Sequence, residues 1–421
     1  MCFGRRKIAL HSRSDSRTPL WSENTAPAYA WPEKDVEAYT SSSPKYQDTV
    51  AHRIGDSEKI DILTRSNSGE VGAKFCVGGS IDGYLANPIH ESITFAALGH
   101  CSYNMAPGTT LAAGSNAQWE YVRGAIFNDD PDSLLFDDSE NQNHEHSSGL
   151  TWLAKFKMGK YDWAENTSDK MTNATGRSHF GDLQFLHCMA SDSSEKAQAT
   201  KDKIMIWVEV LWKLATGEDG INADTVIGKS AIGQFLPDGS APDRNRTFKS
   251  LLGGDTKFAN LDIQRRAFGS MLHFIQDSYA LGHTRRVLQN PQDVKTKGMC
   301  ELRNASRILL TQAKAPKLSM KLGRADRWGP IRNFHVYNGQ DEENHKHYDH
   351  YWNSVPQPDN LGNLNQFNYL LGTRDAVDKC IELIQLRQAG KQWNTGISEF
   401  FDTQVFALAD PNASADAGIW P

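Results

Sequence analysis

The sequence predicts an all-α fold with long loops, and three observations predict it. Residues 203–214 are apolar around much of the helical circumference and carry Trp207 and Trp212, the pattern of a core helix. Residues 261–279 make a second strong helical pattern, followed by a stop at Gly282. Few segments alternate polar and apolar residues with the period of two that a half-buried strand needs.

Taken in order, residues 1–60 are polar and rich in Ser, Pro and charge, an extension with little core of its own. Residues 61–421 are expected to form a single domain. Within it, 86–98 turns apolar and reads as a helix opened by Pro88 and closed by Gly99. From 106 to 148 the chain is rich in Gly, Asn and Asp, with an acidic run over 128–140. That composition predicts long loops, which inside a domain are usually functional. After the two strong helices, a third begins near Asp341 and a fourth covers 374–387. There is no internal repeat and no heptad pattern.

The chain has 421 residues and a net charge of -6, which argues against broad electrostatic binding to duplex nucleic acid. The basic start Met1 to Lys7 is not followed by an apolar core, so no signal peptide is read. The most apolar run, 204–214, is broken by Glu209 and Lys213 and is too short to cross a bilayer. These features predict a protein that is either cytoplasmic or exported without a conventional leader. The six cysteines contain no C-x-x-C pair, so neither a disulfide scaffold nor a cysteine zinc site is expected. No G-x-S-x-G elbow supports a serine lipase.

The chemistry lies in histidine and aspartate spacing. His273 and Asp277 are four apart on the helix over 261–279 and project from one face. His283 follows Gly282 on the turn. His345 and Asp349 repeat the four-residue spacing. Imidazole and carboxylate are the zinc ligands when thiolate is absent, and paired metals suit in-line displacement at phosphorus. Each pair also has a plainer reading. His345 and Asp349, flanked by His347 and His350, look alone like a solvated polar face. His273 and Asp277 sit in the apolar string Met271-Leu272-His273-Phe274-Ile275-Gln276-Asp277, where a buried carboxylate needs a strong partner. His187 reads equally as a core histidine beside Phe185 and Leu186, His90 as a partner of Glu91, and Asp129 and Asp130 as turn residues before Pro131. His144 and His146, in an acidic loop, read as solvated.

The string His273-Phe274-Ile275-Gln276-Asp277 followed by His283 resembles the His-x-x-x-Asp-x(5)-His signature of zinc-dependent phospholipases C. Zinc-dependent single-strand nucleases share that signature and fold. His345-Lys346-His347-Tyr348-Asp349 resembles the family's later His-x-x-x-Asp/Glu motif. Gly181-Asp182-Leu183-Gln184-Phe185-Leu186-His187 resembles the segment with an upstream histidine, placing it at His187. Gly124 to Pro131 resembles the loop with the catalytic aspartate, Asp129 matching best and Asp130 next. His90, in Pro88-Ile89-His90-Glu91-Ser92-Ile93-Thr94, resembles the early helical histidine. The motifs keep the family's order from about Cys76 to Leu371.

The resemblance implies an all-helical fold with two or three zinc ions. The first would take Asp129, His187, His273 and Asp277. The second would take His283, His345 and Asp349, and the third His90 with the other oxygen of Asp277. Many relatives supply an N-terminal Trp to the third zinc. Here His90 lies deep in the chain, so that site uses another ligand or fills weakly. The implied activity is phospholipase C: water activated by zinc attacks a phosphatidylcholine-like phosphodiester, with Asp129 orienting or deprotonating it, giving diacylglycerol and a phosphorylated head group. The strings around Asn128-Asp129-Asp130-Pro131 and Asp182 to Phe185 favour the bacterial phospholipase branch, with a phospholipid at a membrane surface as partner. With no leader read, this implies a secreted protein or delivered effector. The alternatives are a single-strand nuclease with the same metals and a non-catalytic, zinc-stabilised helical binding module.

Overall fold

The computed structural model describes residues 89–133, 155, 173–254, 261–288, 328–337, 340, 358–369 and 372–418. All belong to the compact unit Thr49–Pro421. The extension over 1–60, the helix near Asp341, His144, His146, His345 and Asp349 lie outside the described residues.

The described chain is mainly helical, and its centre is one helix. The longer helices are α1 (Ile89–His100), α2 (Asn116–Ile126), α4 (Ala197–Thr216), α6 (Ile263–Tyr279) and α7 (Thr373–Gln388). Short helices α3 (Ala174–Phe180) and α5 (Phe248–Gly253) lie between them, and a π-helical turn, Phe400–Val405, comes near the end. Helix α6 packs against α2, α4 and α7, while α1 packs on α7 and α2. Nearly every α6 residue is buried for that reason. No helix among the described residues is long and apolar enough to cross a membrane.

The expected helices that fall within the described residues form, with shifted ends. Helix α1 continues through Gly99 instead of closing there. A β-carbon at Gly99 would sit 3.1 Å from the Ala106 carbonyl, so glycine allows that strand of loop to lie against the helix. Helix α4 starts six residues before the apolar run, because its first turns are polar, and ends at Gly217 in a left-handed conformation (φ 75°). Helix α6 starts after Asp262, whose side chain accepts from the Arg265 amide at 3.0 Å, an N-cap. It stops at Ala280, ahead of the expected glycine.

Two features depart from the sequence expectation. Helix α2 occupies part of the stretch expected as loop, started by a reciprocal capping box between Ser115 and Gln118. A two-stranded antiparallel sheet pairs β1 (Thr284–Leu288) with β2 (Trp328–Phe334), so the fold is not purely helical. Its pattern is hidden because Arg286 points inward. That guanidinium donates to the carbonyls of Ser278, Gly329 and Val405 and lies 4.0 Å from the Tyr279 ring centre. The described cysteines, Cys101, Cys188 and Cys380, are unpaired thiols.

Candidate metal centre

The α2–α6 crossing sets the site. A β-carbon at Gly269 would lie 1.9 Å from the Tyr121 carbonyl oxygen, and one at Gly124 would lie 2.0 Å from that of Arg266. Glycine at both positions lets the two backbones touch. Glu120 of α2 fastens the crossing from below, accepting from Arg266 at 2.7 Å and Arg123 at 2.5 Å in a buried network. At the other end of α2, Asn128 is buried and donates to the Leu186 carbonyl at 2.6 Å while accepting from Ser270 at 2.6 Å. Asp129, next in the chain, is thereby held against α6.

Helix α6 carries His273 and Asp277, both buried, at the centre of the cluster. His273 Nε2 is 2.7 Å from Asp277 Oδ2. The contact is close but not aligned as a hydrogen bond, and neither ring nitrogen has a hydrogen-bond partner among the described residues. Asp129 adds its carboxylate, 3.9 Å from His273 Nδ1 and 3.5 Å from His187 Nδ1.

Three more histidines converge on Asp277. His90 on α1 donates Nδ1–H to Gln276 at 2.6 Å, and Gln276 is itself fixed by donating to Thr94 at 3.0 Å. That leaves His90 Nε2 facing Asp277 Oδ1 at 3.6 Å. His187 ends a 3₁₀ turn, and the next residue, Cys188, is left-handed (φ 53°) with its thiol donating to the Phe274 carbonyl at 3.1 Å. The turn puts His187 Nδ1 3.3 Å from Asp277 Oδ2 and leaves its Nε2 buried with no hydrogen-bond partner among the described residues. His283 follows the end of α6. Its Nδ1 lies 3.3 Å from Asp277 Oδ2 but nearer the His187 carbonyl, at 2.7 Å, to which it donates. A backbone or amide acceptor on one ring nitrogen is how a metal-binding histidine is fixed with its other nitrogen as the lone-pair donor.

The spacing fits zinc. Bonds of about 2.0–2.2 Å in a tetrahedron place ligand atoms about 3.3 Å apart. The contacts of Asp277 with His90 and His187 and of Asp129 with His187 are 3.3 to 3.6 Å. Among the described residues, two groups could hold a metal: His90, His273 and Asp277, and Asp129, His179 and His187.

The imidazoles around Asp277 and Asp129 keep both carboxylates ionised. Burial works against a charged Asp277, yet His273 and His283 outweigh it and hold the carboxyl well below the usual range. Asp129 is likewise held low against burial by His273, His187 and His90. Burial works to lower His273 as well, but Asp277 and Asp129 raise it overall. His90 is pushed down by burial and by His273, which keeps it in the neutral form a metal needs.

Of the residues singled out in the sequence, the structure gathers His90, Asp129, His187, His273, Asp277 and His283. Asp130 is buried on the turn after α2, its amide donating to the Ile126 carbonyl at 2.9 Å. His179 is the residue the sequence reading missed. Its Nδ1 is 2.8 Å from the Thr175 carbonyl one turn back, and its ring centre is 4.8 Å from that of His187. Helix α3 has seven residues and no apolar period to reveal it. The available signal was His179 standing eight residues before His187 in the same segment. The chain matches no known family model, no curated protein and no solved structure.

Proposed function

We propose that the protein is a zinc-dependent phosphodiesterase of the phospholipase C type, with the fold that those enzymes share with zinc-dependent single-strand nucleases. The observation that supports this reading is one buried aspartate, Asp277, in contact with His90, His187, His273 and His283. A carboxylate with both oxygens facing imidazoles would help those imidazoles hold a cation.

His90, His179, His187, His273, His283, Asp129 and Asp277 are the residues that would hold zinc. Bound zinc supplies Lewis acidity, bringing the pKa of water toward about 7 and neutralising phosphoryl charge. Asp277 ties the histidines of four chain segments to one point. Asp129, with its side chain 32% exposed, is the carboxylate open to solvent, the position needed to orient or deprotonate an attacking water. That water's oxygen would bond to phosphorus, its proton passing by way of Asp129 to the glycerol oxygen as the phosphorus–glycerol oxygen bond breaks. The products are diacylglycerol and a phosphorylated head group, released at a membrane surface.

The test compares Asp129→Asn and Asp130→Asn for zinc content and turnover. Asp129→Asn is expected to lose about 10²–10⁴ in turnover while keeping most metal, and Asp130→Asn to be milder. Dead Asp130→Asn with active Asp129→Asn would shift the assignment by one residue. Phosphatidylcholine emulsion and single-stranded DNA are offered side by side. Cleavage of DNA alone would replace the lipid reading with the nuclease one.

A further inference from the structure

Asp129, His179 and His187 come from three short segments that the chain ties to one another. Asn128, just before Asp129, donates to the carbonyl of Leu186, just before His187, at 2.6 Å. Asp132, on the turn after Asp129, accepts from the Thr175 hydroxyl at 3.0 Å and from the Thr175 amide at 3.3 Å, which seats α3 against that turn. Arg177 of α3, fully buried, holds Asp182 in the link from His179 to His187 through both carboxylate oxygens, at 2.9 and 2.8 Å. It also donates to the carbonyls of Phe235 and Ala241. Each of the three residues thus has a near neighbour in sequence pinned to another segment of the group.

The ring orientations leave lone pairs for an ion. His179 Nδ1 donates to the Thr175 carbonyl at 2.8 Å, so its Nε2 carries the lone pair. Taken alone, that bond is an ordinary contact in the last turn of a helix. His187 supplies the second observation. It is buried, its Nδ1 faces the carboxylates of Asp277 at 3.3 Å and Asp129 at 3.5 Å, and its Nε2 has no hydrogen-bond partner among the described residues. A buried polar atom left in that way is costly unless water or an ion meets it. The two imidazoles stand 4.8 Å apart at their centres, tilted by 46°. Imidazoles that share one tetrahedral ion place their ring centres about 5 Å apart. One ligand atom from each of Asp129, His179 and His187 lies within 4.8 Å of the other two.

We propose that Asp129, His179 and His187 hold a zinc ion of their own, separate from the ion of His90, His273 and Asp277, with His179 taking the place that the resemblance gives to His273. The inference rests on the metal-centre reading above and divides its ligands between two ions. Three protein ligands leave a fourth position to water or a phosphoryl oxygen. The Asp129 side chain is partly exposed while those of His273 and Asp277 are sealed, so this ion is the one that solvent reaches.

Asp129→Asn keeps an oxygen donor, so the discriminating changes are at His179. Zinc per chain is measured by elemental analysis, and affinity by competition with a chromophoric chelator, on the full chain with circular dichroism to confirm folding. His179→Gln is expected to bind one zinc fewer than wild type, the affinity of that site falling by more than ~100-fold, beyond the ~10–100-fold of a residue that only orients a ligand. His90→Gln is expected to remove the other ion and leave this one, and the double variant to lose both. His179→Cys loaded with cobalt is expected to show a thiolate-to-cobalt charge-transfer band absent from wild type, because the new sulfur touches the ion. Wild-type zinc content and affinity in His179→Gln, with no such band in His179→Cys, would overturn the inference, and zinc still lost in His90→Gln would then leave the metal centre standing. Zinc lost in His179→Gln without the band in His179→Cys would also overturn ligation, leaving His179 a positioning residue. Loss of both ions together in each single variant would overturn the division into two sites. Wild type with no bound zinc would overturn the metal centre itself.

Discussion

Gly269→Ala tests whether the helix crossing builds the metal site. The added β-carbon would sit 1.9 Å from the Tyr121 carbonyl oxygen and 2.9 Å from the Ala125 nitrogen. β-Carbons essentially never approach other atoms closer than 3.0 Å, so α2 must retreat by at least ~1.1 Å from the first contact. Overpacking of this kind costs about 1–3 kcal/mol, more where backbone must move. The functional consequence is sharper. Asp129 sits beyond the end of α2 and His273 one turn along α6 from Gly269, and ligand distances tolerate only about 0.2 Å. The variant is expected to melt earlier and to bind zinc at least ~10-fold more weakly. Gly390→Ala is the control: nothing lies within 4 Å of its added carbon, and its φ of +65° brings strain without reaching the site. Expected there is a stability loss of about 1–2 kcal/mol with unchanged zinc affinity. The measurements are thermal denaturation and chelator competition. A destabilised Gly269→Ala protein with wild-type zinc affinity would refute the claim that this crossing positions Asp129.

Gln276→Leu removes the acceptor that fixes His90 and is expected to lower zinc affinity about 10–100-fold with little change in fold, read by chelator competition. Glu120→Gln leaves Arg123 and Arg266 buried without their anion and is expected to cost about 3–5 kcal/mol at neutral pH in denaturant unfolding. Burial works against the Glu120 anion, but Arg266 and Arg123 hold its pKa below the ordinary 4.5. Its contribution is therefore complete above about pH 4.5 and is lost as pH falls through the lower folded value. Wild type is expected to lose stability in that acid window and Glu120→Gln to lose less there; equal acid slopes would count against the network.

The most legible part of the molecule was α6, where the apolar run, the four-residue spacing of His273 and Asp277 and the following His283 together marked both a core helix and a candidate metal site. His90, His187 and Asp129 lacked such spacing and were placed by resemblance; the structure brings all three to Asp277 or its neighbours. What stayed hidden depends on contacts between distant segments. Helix α2 forms in a Gly- and Asn-containing stretch because its glycine faces a helix backbone, which composition alone reads as loop. Arg286, a charged residue that sequence alone does not place inside, ties β1 to carbonyls from three segments. His179 is brought beside His187 by a short helix and a 3₁₀ turn, and neither has a period long enough to announce it.

The central claim is that this cluster binds zinc and uses it on a phosphodiester. The most direct measurement is zinc content and phosphatidylcholine hydrolysis of the purified full chain, before and after a strong chelator and after zinc is returned. At least two zincs per chain, activity lost with the metal and activity restored with it are the predicted result. Fewer than one zinc per chain, with full hydrolysis retained in chelator, would contradict it.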